Sequence, residues 1–341
     1  MSSTPHVEFS LRAGTGEIRL NRPEELNALS LEMIEAIDAQ LAAWAVDPKV
    51  TGILIGKTNT GDAFCAGVDQ RALYNAVQSG DRDYGAVVYR RFYQLLYRLA
   101  TYPKTTIAVM DGITMGGGVA LGAHCKVRVG TRNAYLAFAD CKIGYFPDGG
   151  AAFFYNKCPG EIGMFLALTG VALRARGLFH AGLLTHMVPE DRVSLITPLL
   201  INDLSVPPPV STLSDIEPHV NQVFGLGSVP EIKGVLAVRG GEWAKGTLEQ
   251  LGQQSPTSLA LTYRHLRAAR GKPLAEVLKT DYRLSQRLID GHDFREGIRA
   301  FVIDRDEKPV WQPAEQREVT EAALDALFAP LDRGMEWSPA A

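Results

Sequence analysis

Met110-Asp111-Gly112-Ile113-Thr114-Met115-Gly116-Gly117-Gly118-Val119-Ala120 is the stretch whose reading decides the fold. Just before it, Thr105-Thr106-Ile107-Ala108-Val109 is apolar and β-branched, which predicts a buried strand. Just after it, Gly118 to Cys125 is short-chained and carries no formal charge, which suits a helix packed inside a core. Three glycines therefore stand where a strand ends and a helix begins. Glycine lets another group approach the main chain closely, and the first amides of a helix have no internal acceptor. An oxyanion can dock on such amides. A tight turn without chemistry uses the same residues, so the rest of the chain must decide between the two.

The 341 residues are enough for one large domain or two modest ones. A net charge of -3 and a pI near 6.2 argue against a nucleic-acid surface. No apolar run reaches membrane-spanning length, so no membrane partner is expected. Cys65, Cys125, Cys141 and Cys158 form no CxxC pair and follow no secretory signal, which fits free thiols and a cytoplasmic setting. No transit-peptide pattern is seen near the N-terminus. No metal site is assigned, and no internal repeat is found.

Upstream, Val7-Glu8-Phe9-Ser10-Leu11 and Glu17-Ile18-Arg19-Leu20 flank Gly14-Thr15-Gly16 and predict a hairpin. Ser30 is placed to cap a helix whose apolar face is Ile34, Ile37, Leu41 and Trp44, ended by Asp47-Pro48. Val50 to Gly56 reads as a buried strand. In Ala63-Phe64-Cys65-Ala66-Gly67-Val68-Asp69 the small residues leave the backbone open, so Ala66 can offer its N–H to a ligand. Tyr84 to Leu99 predicts a helix with an aromatic and leucine face.

Downstream, Asp140-Cys141-Lys142-Ile143-Gly144-Tyr145-Phe146-Pro147-Asp148-Gly149-Gly150 is a loop with two acids eight residues apart. Loops on a rigid scaffold are where chemistry tends to sit, though Asp is equally at home as a cap or turn residue. Val206-Pro207-Pro208-Pro209-Val210 has linker composition, and helical patterns follow over Ser255 to Arg270, Leu274 to Gly291 and Phe294 to Val302. Strands mix with helices to about residue 200 and only helices follow, which argues for an α/β (α+β) core with a helical appendix.

Taken in order, four segments resemble the crotonase (enoyl-CoA hydratase/isomerase) superfamily. They are Asn21-Arg22-Pro23 with Leu26-Asn27-Ala28-Leu29, Phe64 to Gly67, Gly112 to Gly118, and Ile143-Gly144 with Gly149-Gly150. The 3-hydroxyisobutyryl-CoA hydrolase branch fits best, through Gly112 to Val119, Phe146-Pro147-Asp148, Phe165 to Gly170, Tyr282 to Gln286 and Gly291 to Phe294.

The resemblance implies a spiral ββα core with a CoA-ester site over residues 1–200. It implies a linker and family-specific insertion over 201–254, and a C-terminal helical region covering the site over 255–341. It also implies an acyl-CoA substrate, a possible homo-oligomer, no cofactor beyond the coenzyme A of the substrate, and a place in amino-acid or fatty-acid catabolism. Its shared device, two backbone amides on the thioester oxygen, falls on Ala66 and Gly117. Fixed amides stabilise that oxygen in addition, enolisation and hydrolysis alike, so they do not choose the reaction.

The carboxylates choose it. The acid that hydratases carry two residues past the glycine triplet is Ala120 here. The other acid falls on Asp140, the expected nucleophile or base, one methylene shorter than the branch's Glu. The branch's second acid, thought to bind the 3-hydroxyl, falls on Asp148. An upstream acidic pair is replaced by Arg91 and Phe92, and a proline by Ala139. Phe92 and Asp140 together point to a bulkier or more apolar acyl group. Phe92, Cys65, Asp69 and Arg71 complete the expected substrate-binding set, with Arg22, Lys57, Arg71 and Lys104 as candidate cations for the CoA phosphates. The reading is a CoA thioester hydrolase. An enoyl-CoA hydratase or isomerase using Asp140 alone, or a non-catalytic acyl-CoA binder, are the alternatives.

Overall fold

A computed structural model describes residues 5–58, 61–207 and 211–340, with only the backbone of Arg82. The predicted hairpin is β1 (Val7–Arg12) paired antiparallel with β2 (Thr15–Leu20). Ser30 caps α1 (Leu31–Val46), its hydroxyl accepting the Met33 amide, as the sequence led one to expect. Next come β3 (Gly52–Lys57), β4 (Ala63–Cys65), α2 (Gln70–Ser79), α3 (Arg82–Ala100), β5 (Thr105–Met110), β6 (Ile113–Met115) and α4 (Gly117–Ala123). A third round repeats the motif with β7 (Val127–Gly130), β8 (Tyr135–Ala137), α5 (Ala151–Tyr155) and α6 (Ile162–Thr169). The strip is closed by β9 (Leu173–Arg174), α7 (Ala175–His180) and β10 (His186–Met187).

Each round gives one strand to each of two sheets. The larger sheet runs β1-β2-β3-β5-β7-β10, parallel from β2 onward, and the smaller runs β4-β6-β8-β9. This is the ββα spiral of the crotonase fold. Leu54, Ile107, Val109 and Val129 on the outer face of the large sheet are covered by Val188, Ile196 and Ile201.

The turn of the spiral at the glycine stretch depends on close approach. A Cβ on Gly118 would lie 2.1 Å from the Cys65 carbonyl oxygen and 2.8 Å from its carbon. Both neighbours are backbone, so neither can swing aside. Gly118→Ala is therefore expected to cost about 3 kcal/mol of stability, the upper range for overpacking, measurable by urea unfolding.

Residues 201–254, expected as a linker and family-specific insertion, are largely helical. They form α8 (Ile201–Leu204), α9 (Leu213–Phe224), α10 (Val229–Arg239) and α11 (Glu242–Gly252). Leu213, Val220, Val223, Phe224, Ile232, Leu236 and Leu251 are buried in the main core, so helical spacing prevails over the polar content. Pro208 to Val210, at the centre of the linker reading, lie outside the described residues. Then follow α12 (Pro256–Ala268), α13 (Leu274–Leu288), α14 (His292–Ile298) and α15 (Glu321–Phe328). A π-helical turn, Arg299–Ile303, extends α14.

Candidate active site

The glycine stretch delivers α4 with its N-terminus open. Gly116 takes φ 46° and ψ -123°, a conformation only glycine adopts easily. Neither Gly117 nor Val68 has a hydrogen-bond acceptor for its amide among the described residues. The two lie side by side: a Cβ on Gly117 would sit 3.3 Å from the Val68 nitrogen, and one on Gly67 would sit 2.9 Å from the Gly117 nitrogen.

Ala66 does not supply the partner amide. Its N–H donates to the Leu26 carbonyl at 2.9 Å. That carbonyl belongs to a residue in the left-handed region (φ 51°), which ends the short turn Pro23–Glu25. The flanking amides are spent as well: Asp69 donates to Leu29, and Gly67 faces the Cys65 sulfur at 3.4 Å. Val68 is left with the free donor, two residues beyond the sequence assignment. The available signal was Gly67 itself, which holds φ +100° and redirects the chain.

Asp140 opens a 3-10 turn (Asp140–Ile143) and is 6% exposed. A Cβ on Gly116 would be 3.5 Å from its Oδ1 and 3.8 Å from its Oδ2. The carboxylate thus lies against the start of α4, the segment that carries the open Gly117 amide. Oδ2 has no hydrogen-bond partner among the described residues. Burial pushes the Asp140 pKa up to about 7, partly offset by a backbone hydrogen bond. The turn is held from behind by the C-terminal helices. A Cβ on Gly297 of α14 would be 2.3 Å from Ile143 backbone atoms, and the Ser255 amide donates to Cys141 O at 3.0 Å.

Asp148 is 4% exposed, and the Tyr93 hydroxyl donates to its Oδ2 at 2.7 Å. The Tyr145 hydroxyl is 3.5 Å from the same oxygen. Burial, and then the neighbouring charge of Asp140, hold the Asp148 pKa well above the usual carboxylate range. The loop that carries it is pinned twice. Gly150 donates its amide to Asp281 Oδ2 at 2.7 Å, and the other oxygen of Asp281 is paired with His265 at 2.5 Å. His124 Nε2 meets the Gly149 carbonyl at 2.7 Å, and burial lowers the His124 pKa to about 4, so the ring donates as neutral imidazole. These pinning residues were not singled out in the sequence, since an isolated buried His or Asp carries no spacing signal.

Phe92 lines the amide pair: its ring comes within 2.9 Å of a Cβ on Gly117. At Ala120, where a hydratase has its second acid, a Cβ on Gly149 would already be 2.8 Å from the Ala120 methyl. Cys65 is buried and its thiol is pushed up to about 12, so it shapes the backbone and is no nucleophile. Asp69 caps α2 through the Ala72 amide and pairs with Arg22 at 2.7 Å, so both belong to the scaffold. Lys104 donates to the Trp44 and Asp47 carbonyls at the end of α1, and Lys57 donates to Gly61 O. Arg71 is exposed and makes no ion pair among the described residues. Arg91 pairs with Glu35 on the surface at 3.3 Å, away from this chemistry.

Two amides without an acceptor among the described residues stand near a helix start, with a buried carboxylate against it, in a ββα spiral, an arrangement able to polarise a carbonyl. The chain belongs to the enoyl-CoA hydratase/isomerase family, whose model matches residues 15–328. It is 39% identical to the mitochondrial 3-hydroxyisobutyryl-CoA hydrolase of Gallus gallus, over 96% of this chain and 90% of that protein. With the enzyme of the same name from Homo sapiens it shares 40% identity, over 93% and 86%. Among solved structures it is similar to an enoyl-CoA hydratase from Rhodobacter sphaeroides, with 33% identity and a TM-score of 0.91 over 98% of this chain and 99% of that one. A carnitinyl-CoA dehydratase from Mycobacterium thermoresistibile gives 31% identity and a TM-score of 0.91 over 97% and 98%. The hydrolase relatives are named mitochondrial, which does not match the cytoplasmic setting expected from the sequence. No described helix is long and apolar enough to cross a membrane.

Proposed function

We propose that this protein hydrolyses acyl-CoA thioesters, with a 3-hydroxyacyl group somewhat bulkier than 3-hydroxyisobutyryl as substrate. The observation that carries the reading is a single buried carboxylate, Asp140, against the start of α4 and its open amide, with no second acid at Ala120. The thioester oxygen docks on the Val68 and Gly117 amides, which stabilise the charge that grows there during attack. Asp140 attacks the carbonyl carbon to give a mixed anhydride, or takes a proton from the water that attacks. CoA leaves as the thiolate, and water completes the hydrolysis. Asp148, its pKa pushed up by burial and its carboxyl held by the Tyr93 hydroxyl, orients the acyl chain. Arg71, exposed and without an ion pair among the described residues, is the candidate cation left for the CoA phosphates, because Arg22, Lys57 and Lys104 are engaged elsewhere. No resident cofactor takes part. The buried free thiols suit a reducing compartment, which cytoplasm and mitochondrial matrix both provide.

The test is a panel of acyl-CoA esters assayed for thiol release and, in parallel, for loss of enoyl absorbance. Thiol release, faster on a bulkier 3-hydroxyacyl-CoA than on 3-hydroxyisobutyryl-CoA, is expected. Loss of enoyl absorbance without thiol release would assign Asp140 to hydratase or isomerase chemistry instead. Tight binding of every ester with no turnover would make the protein a binder.

A further inference from the structure

The two contacts that pin the Asp148 loop fall on one peptide bond. The Gly149 carbonyl, which meets His124 Nε2 at 2.7 Å, and the Gly150 N–H, which donates to Asp281 Oδ2 at 2.7 Å, are its two polar ends. The turn by itself leaves two orientations of this peptide open. Gly149 at φ 61° and Gly150 at φ 80°, closed by the Ala151 amide on Asp148 O at 3.0 Å, make a type I′ turn, and flipping the central peptide would give type II′. A Gly-Gly pair accepts both. Flipped, the Gly149 carbonyl would face the Asp281 carboxyl, acceptor against acceptor, and the Gly150 N–H would face the His124 N–H. His124 and Asp281 therefore choose the turn, not the glycines.

The grip reaches both halves of the site. His124 ends α4, the helix whose start carries the open Gly117 amide. One hydrogen bond thus ties the Asp148 loop to the element that would polarise the carbonyl. Asp281 lies on α13 and is fully buried, with His265 of α12 on its other oxygen. The next residue, Tyr282, meets Tyr93 edge-on at 6.5 Å and 82°, and Tyr93 holds Asp148 Oδ2. Helix α13 supports Asp148 both through its loop backbone and through its carboxyl's partner. The glycines leave no slack. A Cβ on Gly149 would lie 2.8 Å from the Ala120 methyl and 3.0 Å from Leu96, and one on Gly150 would lie 2.8 Å from both His124 and Leu274.

We propose that His124 and Asp281, the latter braced by His265, are positioning residues that set the Asp148 carboxyl against the carbonyl site by fixing the Gly149–Gly150 peptide. This rests on the reading that an acyl group meets Asp148, not on which reaction follows. The experiment removes each grip and asks whether the loss runs through Asp148. His124→Phe keeps a ring and loses the donor, and Asp281→Leu keeps the shape and loses the acceptor. His124→Gln and Asp281→Asn restore a donor and an acceptor respectively. Thiol release from 3-hydroxyisobutyryl-CoA gives kcat and KM. Each apolar variant should lower kcat about 100-fold, the scale of an ångström's misplacement, with KM within about threefold, and each amide variant should regain at least about tenfold of that loss. In an Asp148→Ala protein the same apolar substitutions should cost less than about threefold, because the group they position is gone. An equal loss with and without Asp148, loss of the fold in both apolar variants, or wild-type turnover in both, overturns the proposal. If no ester releases thiol, calorimetry with the same ester runs the same cycle. A loss of affinity that vanishes in Asp148→Ala then keeps the clamp while the hydrolase reading falls, and a loss that persists, or none at all, overturns it.

Discussion

Asp140→Ala is expected to lower thioester cleavage by at least about 1000-fold while the acyl-CoA ester still binds. The carboxylate lies against the start of α4, and Ala120 puts a methyl where a hydratase carries its second acid. Thiol release and calorimetry on the same protein separate the two effects. Turnover near the wild-type rate would remove Asp140 from the mechanism. Its protonation gives a second readout. With a pKa of about 7, the wild-type rate should rise with pH through about 7 as the carboxylate ionises, and that limb should be absent from Asp140→Asn.

Stability should move the other way. The folded protein holds the Asp140 proton up to about pH 7, whereas the unfolded chain gives it up near 3.8. Between these values the native state binds more protons than the unfolded state, so unfolding becomes easier as pH rises, and the cost is complete above about 7. Asp140→Asn abolishes that cost. It should stabilise the protein by up to about 4 kcal/mol at pH 8 relative to pH 4. A destabilised Asn variant at pH 8 would mean that the ionised carboxylate is well solvated or paired.

Gly67→Ala is expected to lower kcat by about 100- to 1000-fold, the loss seen when an oxyanion donor is removed. Its new methyl would lie 2.9 Å from the Gly117 nitrogen and 3.1 Å from the Met115 carbonyl oxygen, crowding the Gly117 donor. The backbone at φ +100° also disfavours any side chain, so some stability goes with it. Unfolding curves keep the two effects apart. A variant that is folded at the assay temperature and fully active would show that the Val68 and Gly117 amides are not where the carbonyl oxygen sits.

The sequence led to the hairpin, α1 with its Ser30 cap, β5 and α4, because each has a period or a cap that local chemistry dictates. The spiral itself was visible only through resemblance. Strands of three residues such as Ala63–Cys65 and Ile113–Met115 are too short to show alternation, and the rounds share geometry rather than sequence. Asp140 and Gly117 were legible because acids and glycines in a turn invite chemistry. Val68 was not, because an amide's freedom depends on which carbonyl claims its neighbours, and Leu26 claims Ala66 from forty residues away. Tyr93 reads as core face, and it is core, yet its hydroxyl meets Asp148 from inside it. Three of the four cations proposed for CoA turned out to serve helix ends, an ion pair or a turn, a distinction invisible in composition.

The most direct measurement is a crystal structure of Asp140→Asn with an acyl-CoA ester bound. The thioester oxygen should lie about 2.7–3.1 Å from both the Val68 and Gly117 nitrogens, with the side chain of residue 140 facing the carbonyl carbon. An oxygen held by other donors, or a residue 140 side chain turned away from that carbon, would contradict the mechanism.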